Sequence, residues 1–210
     1  MKYEAVLFDL LTGLLDSWTL WNEIAGSDER GIRWRAEYLR ITYRTGGYRP
    51  YEDLVAESAE AVGMPRSYAA ELDTRFDELL PWPGVAQTLL ALRQAGVRLG
   101  VVTNCSERLG RVAAARLSTD LDAIVTAERA GFYKPHPKPY ALGLEDLRVP
   151  AESCLFVAGS PYDIAGAAGA GMAVYWHDRI AMPPPPGAPV PLLRESSLAK
   201  LCPLVLTGVH

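Results

Sequence analysis

The chain is poor in the residues that staple or metallate small proteins. It has three cysteines (Cys105, Cys154, Cys202) and three histidines, one of them the C-terminal His210. An odd cysteine count without CxxC spacing argues against a disulfide framework and a structural zinc site, and so few histidines argue against a histidine-built metal centre. A basic excess is lacking too: Lys+Arg 21 against Asp+Glu 25 gives a formal net charge of −4, so no nucleic-acid partner is expected. No apolar run is long enough to span a bilayer, because Arg, Gln or Gly interrupts each within a dozen residues, and no membrane partner is expected. The first apolar segment stops at Asp9, short of a signal-peptide core, so the expected location is cytoplasmic. What remains is an ordinary globular composition, 49% apolar and 22% charged over 210 residues, enough for one core domain with a small insert.

Val6-Leu7-Phe8 ahead of Asp9 reads as a strand apolar on both faces, and similar runs follow at Leu99–Thr103, Ala123–Val125, Leu155–Val157 and Ala173–Trp176. Helical patterns lie between them, over Val85–Ala95, Glu107–Leu117 and Asp163–Ala170. This alternation predicts an α/β fold, a doubly wound, Rossmann-like parallel sheet whose ligands meet the carboxyl ends of the strands. The stretch from Ser17 to Pro81 breaks the pattern. Trp34, Tyr38 and Ile41, then Tyr68, Leu72, Phe76 and Leu79, repeat at helical spacing with no β-rich run. It predicts an inserted α-helical cap over 17–81, with the core made of 1–16 and 82–210. The six prolines between Met182 and Pro191 predict an extended surface strap before a final short element.

Residues just past the strands have the first claim to chemistry. Asp9 ends the first strand, followed by a stretch whose Thr12 and Gly13 can fold tightly and aim the carboxylate into a crevice. Thr103 and Asn104 close the second strand with hydroxyl and amide donors, Lys134 follows the third, and Ser160 and Asp163 follow the fourth. A carboxylate beside a lysine stays ionised, and confinement under a cap supplies desolvation and orientation for attack on carbon. Backbone N–H groups of Leu10 and Leu11, with the Thr103 hydroxyl, are candidates to bind a substrate carboxylate. Asp163 is the candidate base for water, or alternatively the N-cap of its helix. The catalytic candidates are therefore Asp9, Lys134 and Asp163, with Leu10, Leu11, Thr12, Thr103, Asn104 and Ser160 as substrate contacts.

These four loops in order resemble the haloacid dehalogenase superfamily, whose motifs are a nucleophilic Asp, a Ser/Thr, a Lys and an acidic loop. The departures matter. Where the phosphatase branch carries a second acid two residues after the nucleophile stands Leu11, and the first acidic position of the fourth loop is Gly159. Two carboxylates are a poor shell for magnesium, and Leu11 cannot protonate a leaving alkoxide, so no metal, no cofactor and no phosphatase activity are expected. The remainder is similar to the L-2-haloacid dehalogenases, in which the Asp forms an ester at a carbon next to a carboxylate. That resemblance places Arg35 of the cap, beside Trp34, over the site to hold the leaving halide. It also implies pairing of two copies through helical surfaces, and the cap face of Tyr38, Ile41, Tyr68 and Phe76 is either such a surface or the cap's own core. Dehalogenase side chains are missing at Leu11-Thr12-Gly13 and at Ala158-Gly159-Ser160.

The run from Phe8 to Asn22 further resembles the L-azetidine-2-carboxylate hydrolases, a branch of the same family. In that reading the faces of Trp18 and Trp21, three apart on one helical face, hold a protonated ring nitrogen, with Asn22 or Asp16 nearby; the alternative for such a pair is core packing. Asp16 has an alternative role as the N-cap of a helix starting near Ser17. The leading expectation is a metal-independent hydrolase that works through an aspartyl ester at Asp9 and opens L-azetidine-2-carboxylate to 2-hydroxy-4-aminobutyrate. L-2-haloacid dehalogenation is the alternative, and a non-catalytic binding homologue the rival from another class. In every case the partner is a small carboxylic acid.

Overall fold

In the computed structural model, which describes residues 1–209, the apolar runs become the strands of one parallel sheet; His210 lies outside the described residues. In chain order the elements are β1 (Ala5–Asp9), α1 (Ser17–Ala25), α2 (Asp28–Thr45), α3 (Tyr51–Ala61), α4 (Ser67–Thr74), α5 (Val85–Gln94), β2 (Arg98–Thr103), α6 (Glu107–Ala114), β3 (Ala123–Thr126), α7 (Ala127–Ala130), α8 (Pro137–Leu147), β4 (Cys154–Ala158), α9 (Tyr162–Gly169), β5 (Ala173–His177), β6 (Leu193–Glu195) and α10 (Leu201–Thr207). Among the described residues the sheet has six strands in the order β3-β2-β1-β4-β5-β6.

Every residue of β1 is buried, as its position between two parallel neighbours requires. Alternation along the strand divides its side chains between two layers. Val6 and Phe8 join a cluster with Leu89 and Leu92 of α5, Leu109 of α6 and Leu201 of α10, while Ala5 and Leu7 join one with Tyr140 of α8 and Ile164 of α9. Each fully buried Leu or Phe contributes about 1.5–3 kcal/mol, so the centre of the sheet is its most strongly held part. The strand order reverses at β1, with β2 on one side and β4 on the other. A crevice forms at such a switch point, and there Asp9, paired in register with Val102, faces the loop that leaves β4.

Helices α1 to α4 form the cap, and α5 returns the chain to the sheet. Asp16 caps α1, accepting from the Thr19 amide at 3.1 Å and the Thr19 hydroxyl at 2.7 Å, and Gly26 ends the helix in the left-handed region. Both passages between cap and core run side by side at a neck: Leu15 bridges Pro81, the Asp16 amide donates to Leu80 O and the Trp82 amide to Leu14 O. Two elements were illegible in the sequence. The string Lys134-Pro-His-Pro-Lys-Pro139 reads as loop, yet α8 starts at Pro137, because the first turn of a helix has no use for the missing N–H. The three-residue edge strand β6 is too short to show a period. Tyr38 and Phe76 are buried in the cap's own cluster, which corrects the reading of them as a face for a second copy; of the four residues proposed, Ile41 and Tyr68 are the two left partly exposed.

Candidate active site

Asp9 leaves β1 directly into a turn that folds back on its own carboxylate. Oδ2 accepts from the Thr12 amide at 2.9 Å, the Gly13 amide at 3.0 Å and the Thr12 hydroxyl. Oδ1 accepts from Lys134 Nζ at 2.7 Å. The turn closes because residue 13 is glycine: a Cβ there would stand 2.4 Å from the Asp9 carbonyl oxygen. With three donors on Oδ2 and one on Oδ1, the free lone pair of the carboxylate is on Oδ1. Burial pushes the Asp9 pKa up, but Lys134 and the Thr12 donors outweigh it and hold the acid below its ordinary value.

Lys134 is 2% exposed and bridges two acids, with Nζ also 3.0 Å from Asp163 Oδ1. Burial alone would lower its pKa, yet Asp163 and Asp9 together raise it, so the ammonium is retained. Asp163 is pushed up to about 6 by burial, with Lys134 opposing and Asp9 adding to the rise. Its carboxylate does not cap α9, which has no side-chain cap, so the helix-cap alternative fails and the side chain belongs to the lysine bridge. Asn104 clasps the lysine backbone, accepting from the Lys134 amide at 2.7 Å and donating to its carbonyl at 3.1 Å.

A cavity of about 30 Å³, open to one side of this triad, is lined by Asp9, Leu11, Thr12, Thr103, Ser160 and Asp163 from the core and by one face of α2 from the cap. That volume holds about two waters, so a ligand of few atoms suits the closed cap. Arg35, Leu39 and Tyr43 fall at i, i+4 and i+8 of α2, and Tyr38 from the same helix ties cap to core by donating to Asn104 O at 2.6 Å. Arg35 is 3% exposed, and its Nε and Nη1 have no hydrogen-bond partner. Burial draws its pKa down, but a guanidinium does not give up its proton, so a buried cation with unmet donors faces the cavity. The Tyr43 hydroxyl is likewise buried and unpartnered there, and burial drives its pKa far up, leaving it a neutral donor.

The structure thus brings Asp9, Lys134, Asp163, Leu11, Thr12, Arg35, Thr103, Asn104 and Ser160 to one place, but gives some of them other work. Thr12 and Asn104 line the cavity, and their side chains also bond Asp9 and Lys134. Leu10 is buried in the hydrophobic cluster and does not line the cavity. Trp18 and Trp21 do not line it either. Their rings lie 4.4 and 5.2 Å from the Arg35 guanidinium, so the faces assigned to a ligand cation already carry a protein cation. Asn22 lies where α1 crosses α2: a Cβ on Gly31 would meet its Oδ1 at 2.2 Å, and its amide donates to Asp28 at 2.9 Å. It is a helix-crossing residue outside the site.

Magnesium does not fit these residues. A side chain at Gly159 would place Cβ 2.1 Å from Gly13 N, so that position cannot bear an acid without displacing the turn that follows Asp9. Between the two acids stands the Lys134 ammonium. Among the described residues no three His, Cys, Asp or Glu side chains converge as a metal site would need. Cys105 is buried, its thiol pushed up to about 12, and is inert. His177, at the end of β5, donates from Nδ1 to Gly13 O at 2.8 Å. Tyr43 and Leu39 were legible only as members of the α2 face that carries Arg35.

Residues 3–171 match the haloacid dehalogenase-like hydrolase family. The haloacetate dehalogenase H-2 of Moraxella sp. (strain B) is 28% identical over 85% of this chain and 87% of its own length. The (S)-2-haloacid dehalogenase of Xanthobacter autotrophicus is 27% identical over 81% of this chain and 73% of its own. Among solved structures, the L-2-haloacid dehalogenase RSc1362 superposes with a TM-score of 0.84 over 98% of this chain and 99% of its own, at 24% identity, a likeness of fold. Among the described residues no helix is long and apolar enough to cross a membrane.

Proposed function

The chain belongs to the haloacid dehalogenase-like hydrolases, and from that premise we propose that it hydrolyses small 2-haloacids through an ester at Asp9, without a metal. The observation that carries this reading is the buried Asp9–Lys134–Asp163 bridge facing an unpartnered Arg35 guanidinium across a small cavity. Asp9 Oδ1 attacks C2 of the substrate in line, the carbon–halogen bond breaks, and the halide departs with its electron pair toward Arg35. The C2 configuration inverts. Thr103 and backbone amides at Leu11 take the substrate carboxylate. Water then loses a proton to Asp163 and attacks Cγ of Asp9, releasing the 2-hydroxy acid and regenerating the carboxylate. An Asp163 pKa of about 6 suits a base working near neutrality.

Ring opening of L-azetidine-2-carboxylate remains chemically open to the same nucleophile, but no contact in the structure favours it. The tryptophans that were to hold the ring cation hold Arg35, and a buried guanidinium repels a protonated amine. The non-catalytic alternative leaves unexplained why two acids and a lysine are buried together at the switch point.

The test is a product assay in excess EDTA with chloroacetate, L-2-chloropropionate and L-azetidine-2-carboxylate in parallel, with Asp9→Asn as control. Chloride with glycolate or D-lactate is expected, and silence from Asp9→Asn. In a single turnover in ¹⁸O-water the label should enter Asp9 and not the first product. Ring-opened product alone would transfer the assignment to azetidine hydrolysis, and label in the first product would exclude the ester.

A further inference from the structure

The turn that aims Asp9 depends on a glycine, which places little restriction on its own backbone. Its two flanking peptide groups are held from outside. Trp82 Nε1 donates to Thr12 O at 3.0 Å, and that carbonyl shares a peptide plane with the Gly13 amide that donates to Asp9 Oδ2. On the other flank, His177 Nδ1 donates to Gly13 O at 2.8 Å, the carbonyl of the plane whose Leu14 amide closes the turn on Leu10 O. A carbonyl only accepts, so the buried imidazole carries its proton on Nδ1. The Trp82 ring is in turn backed by the Arg179 guanidinium at 4.7 Å, whose Nη1 donates to Ser196 O at 2.6 Å.

We propose that Trp82 and His177 are positioning residues for the nucleophile: by fixing the two peptide planes around Gly13 they keep its amide aimed at Asp9 Oδ2, with Oδ1 free. A C=O and an N–H in one peptide point in opposite directions, so a donor on the outer end sets the direction of the inner one. Neither residue lines the cavity, so neither touches substrate. Trp82 is also the first residue after the neck, its own amide bonded to Leu14 O, so the cap's attachment and the nucleophile's support share one residue. The charged groups facing Asp9 are Lys134, Asp163 of α9 and Arg35 of α2. All three remain in place when only an outer donor is removed.

The inference rests on Asp9 being the nucleophile, and its test separates the two. Trp82→Phe keeps the ring and its stacking while deleting the donor; His177→Leu deletes the other donor and His177→Gln can restore one. The carboxyl ¹³C resonance of Asp9, assigned with Asp9→Asn, and the hydrogen exchange of the Gly13 amide are read in the unliganded protein and need no substrate. The wild-type midpoint should lie below that of an ordinary aspartate, while Trp82→Phe and His177→Leu move it up by about one pH unit and speed Gly13 exchange about tenfold. His177→Gln should return both toward wild type. An Asp9 resonance and Gly13 exchange unchanged in Trp82→Phe and His177→Leu, whatever happens to Tm, would reduce both residues to packing and overturn the inference. Shifts as expected in a protein that turns over neither haloacids nor azetidine would uphold it and refute the dehalogenase reading instead.

Discussion

Replacing Lys134 with methionine removes the ammonium that stands between two buried acids while nearly conserving volume. With Nζ 2.7 Å from Asp9 and 3.0 Å from Asp163, the attractions come to about 6 and about 5.5 kcal/mol at an effective dielectric of about 20. Desolvation offsets part of this. Removing one partner of a buried pair costs about 3–5 kcal/mol net, and at about 1.4 kcal/mol per tenfold the proton affinity of the acid pair should rise by about two to three powers of ten. Asp163 begins at about 6, so in Lys134→Met the upper step of the coupled pair should fall near pH 8 to 9, roughly. At neutral pH the base is then protonated, and turnover should drop about 10- to 100-fold and recover as pH rises. Two assays read this: the acid limb of halide release against pH, and the ¹³C titration of Asp163, which needs no substrate. An Asp163 midpoint still near 6 in a folded Lys134→Met protein would refute the electrostatic reasoning, whatever the activity.

Three further outcomes follow from the same geometry. Asp163 must be unprotonated to act as base, and esterification removes the Asp9 charge that helps raise its pKa, so ester hydrolysis should slow only as pH falls below the free-enzyme value of about 6, while alkylation continues because Asp9 is ionised to lower pH; acid-quench mass spectrometry over a descending pH series should show the Asp9 ester accumulating, and its absence throughout would remove Asp163 as the base. Arg35→Met should cost about 10²–10³ in turnover of 2-chloro acids and clearly less for 2-bromo acids, whose better leaving group needs less help, and less again for any ring opening, in which no free anion leaves; equal losses on all would mean that Arg35 serves the cap fold alone. Gly159→Ala drives a methyl to within 2.1 Å of Gly13 N, which should destabilise the protein by about 1–3 kcal/mol and lower Tm by roughly 3–10 °C, while Gly159→Asp should gain no magnesium-dependent hydrolysis of p-nitrophenyl phosphate; an unchanged Tm would contradict the close approach of the two loops.

The sequence by itself determined the layout, because layout depends on periodicity and on what buried strands exclude. Continuous apolar runs alternating with helical stripes specify a parallel sheet covered on both faces. Polar residues that stop those runs, Asp9 and Thr103 among them, must emerge at the carboxyl ends. The helical stretch after the first strand had nowhere to go but over that end. Directions and partners were a different matter, since they follow from contacts between residues far apart in the chain. Trp18 and Trp21 sit three apart on a helix whatever faces them, and only the docking of α2 sets Arg35 against their rings. Asn22, adjacent to that pair, is taken up by the crossing at Gly31. Thr12 and Asn104 look like free donors in a loop until the turn and the third loop close on them. Gly159 reads as a missing acid, and the fold shows that the space an acid would need is filled by the nucleophile turn. Trp82 and His177, 95 positions apart, meet the same turn because the neck and the end of β5 converge there. Local propensity carries no information about such convergence, which is created by packing the sheet and its cap together.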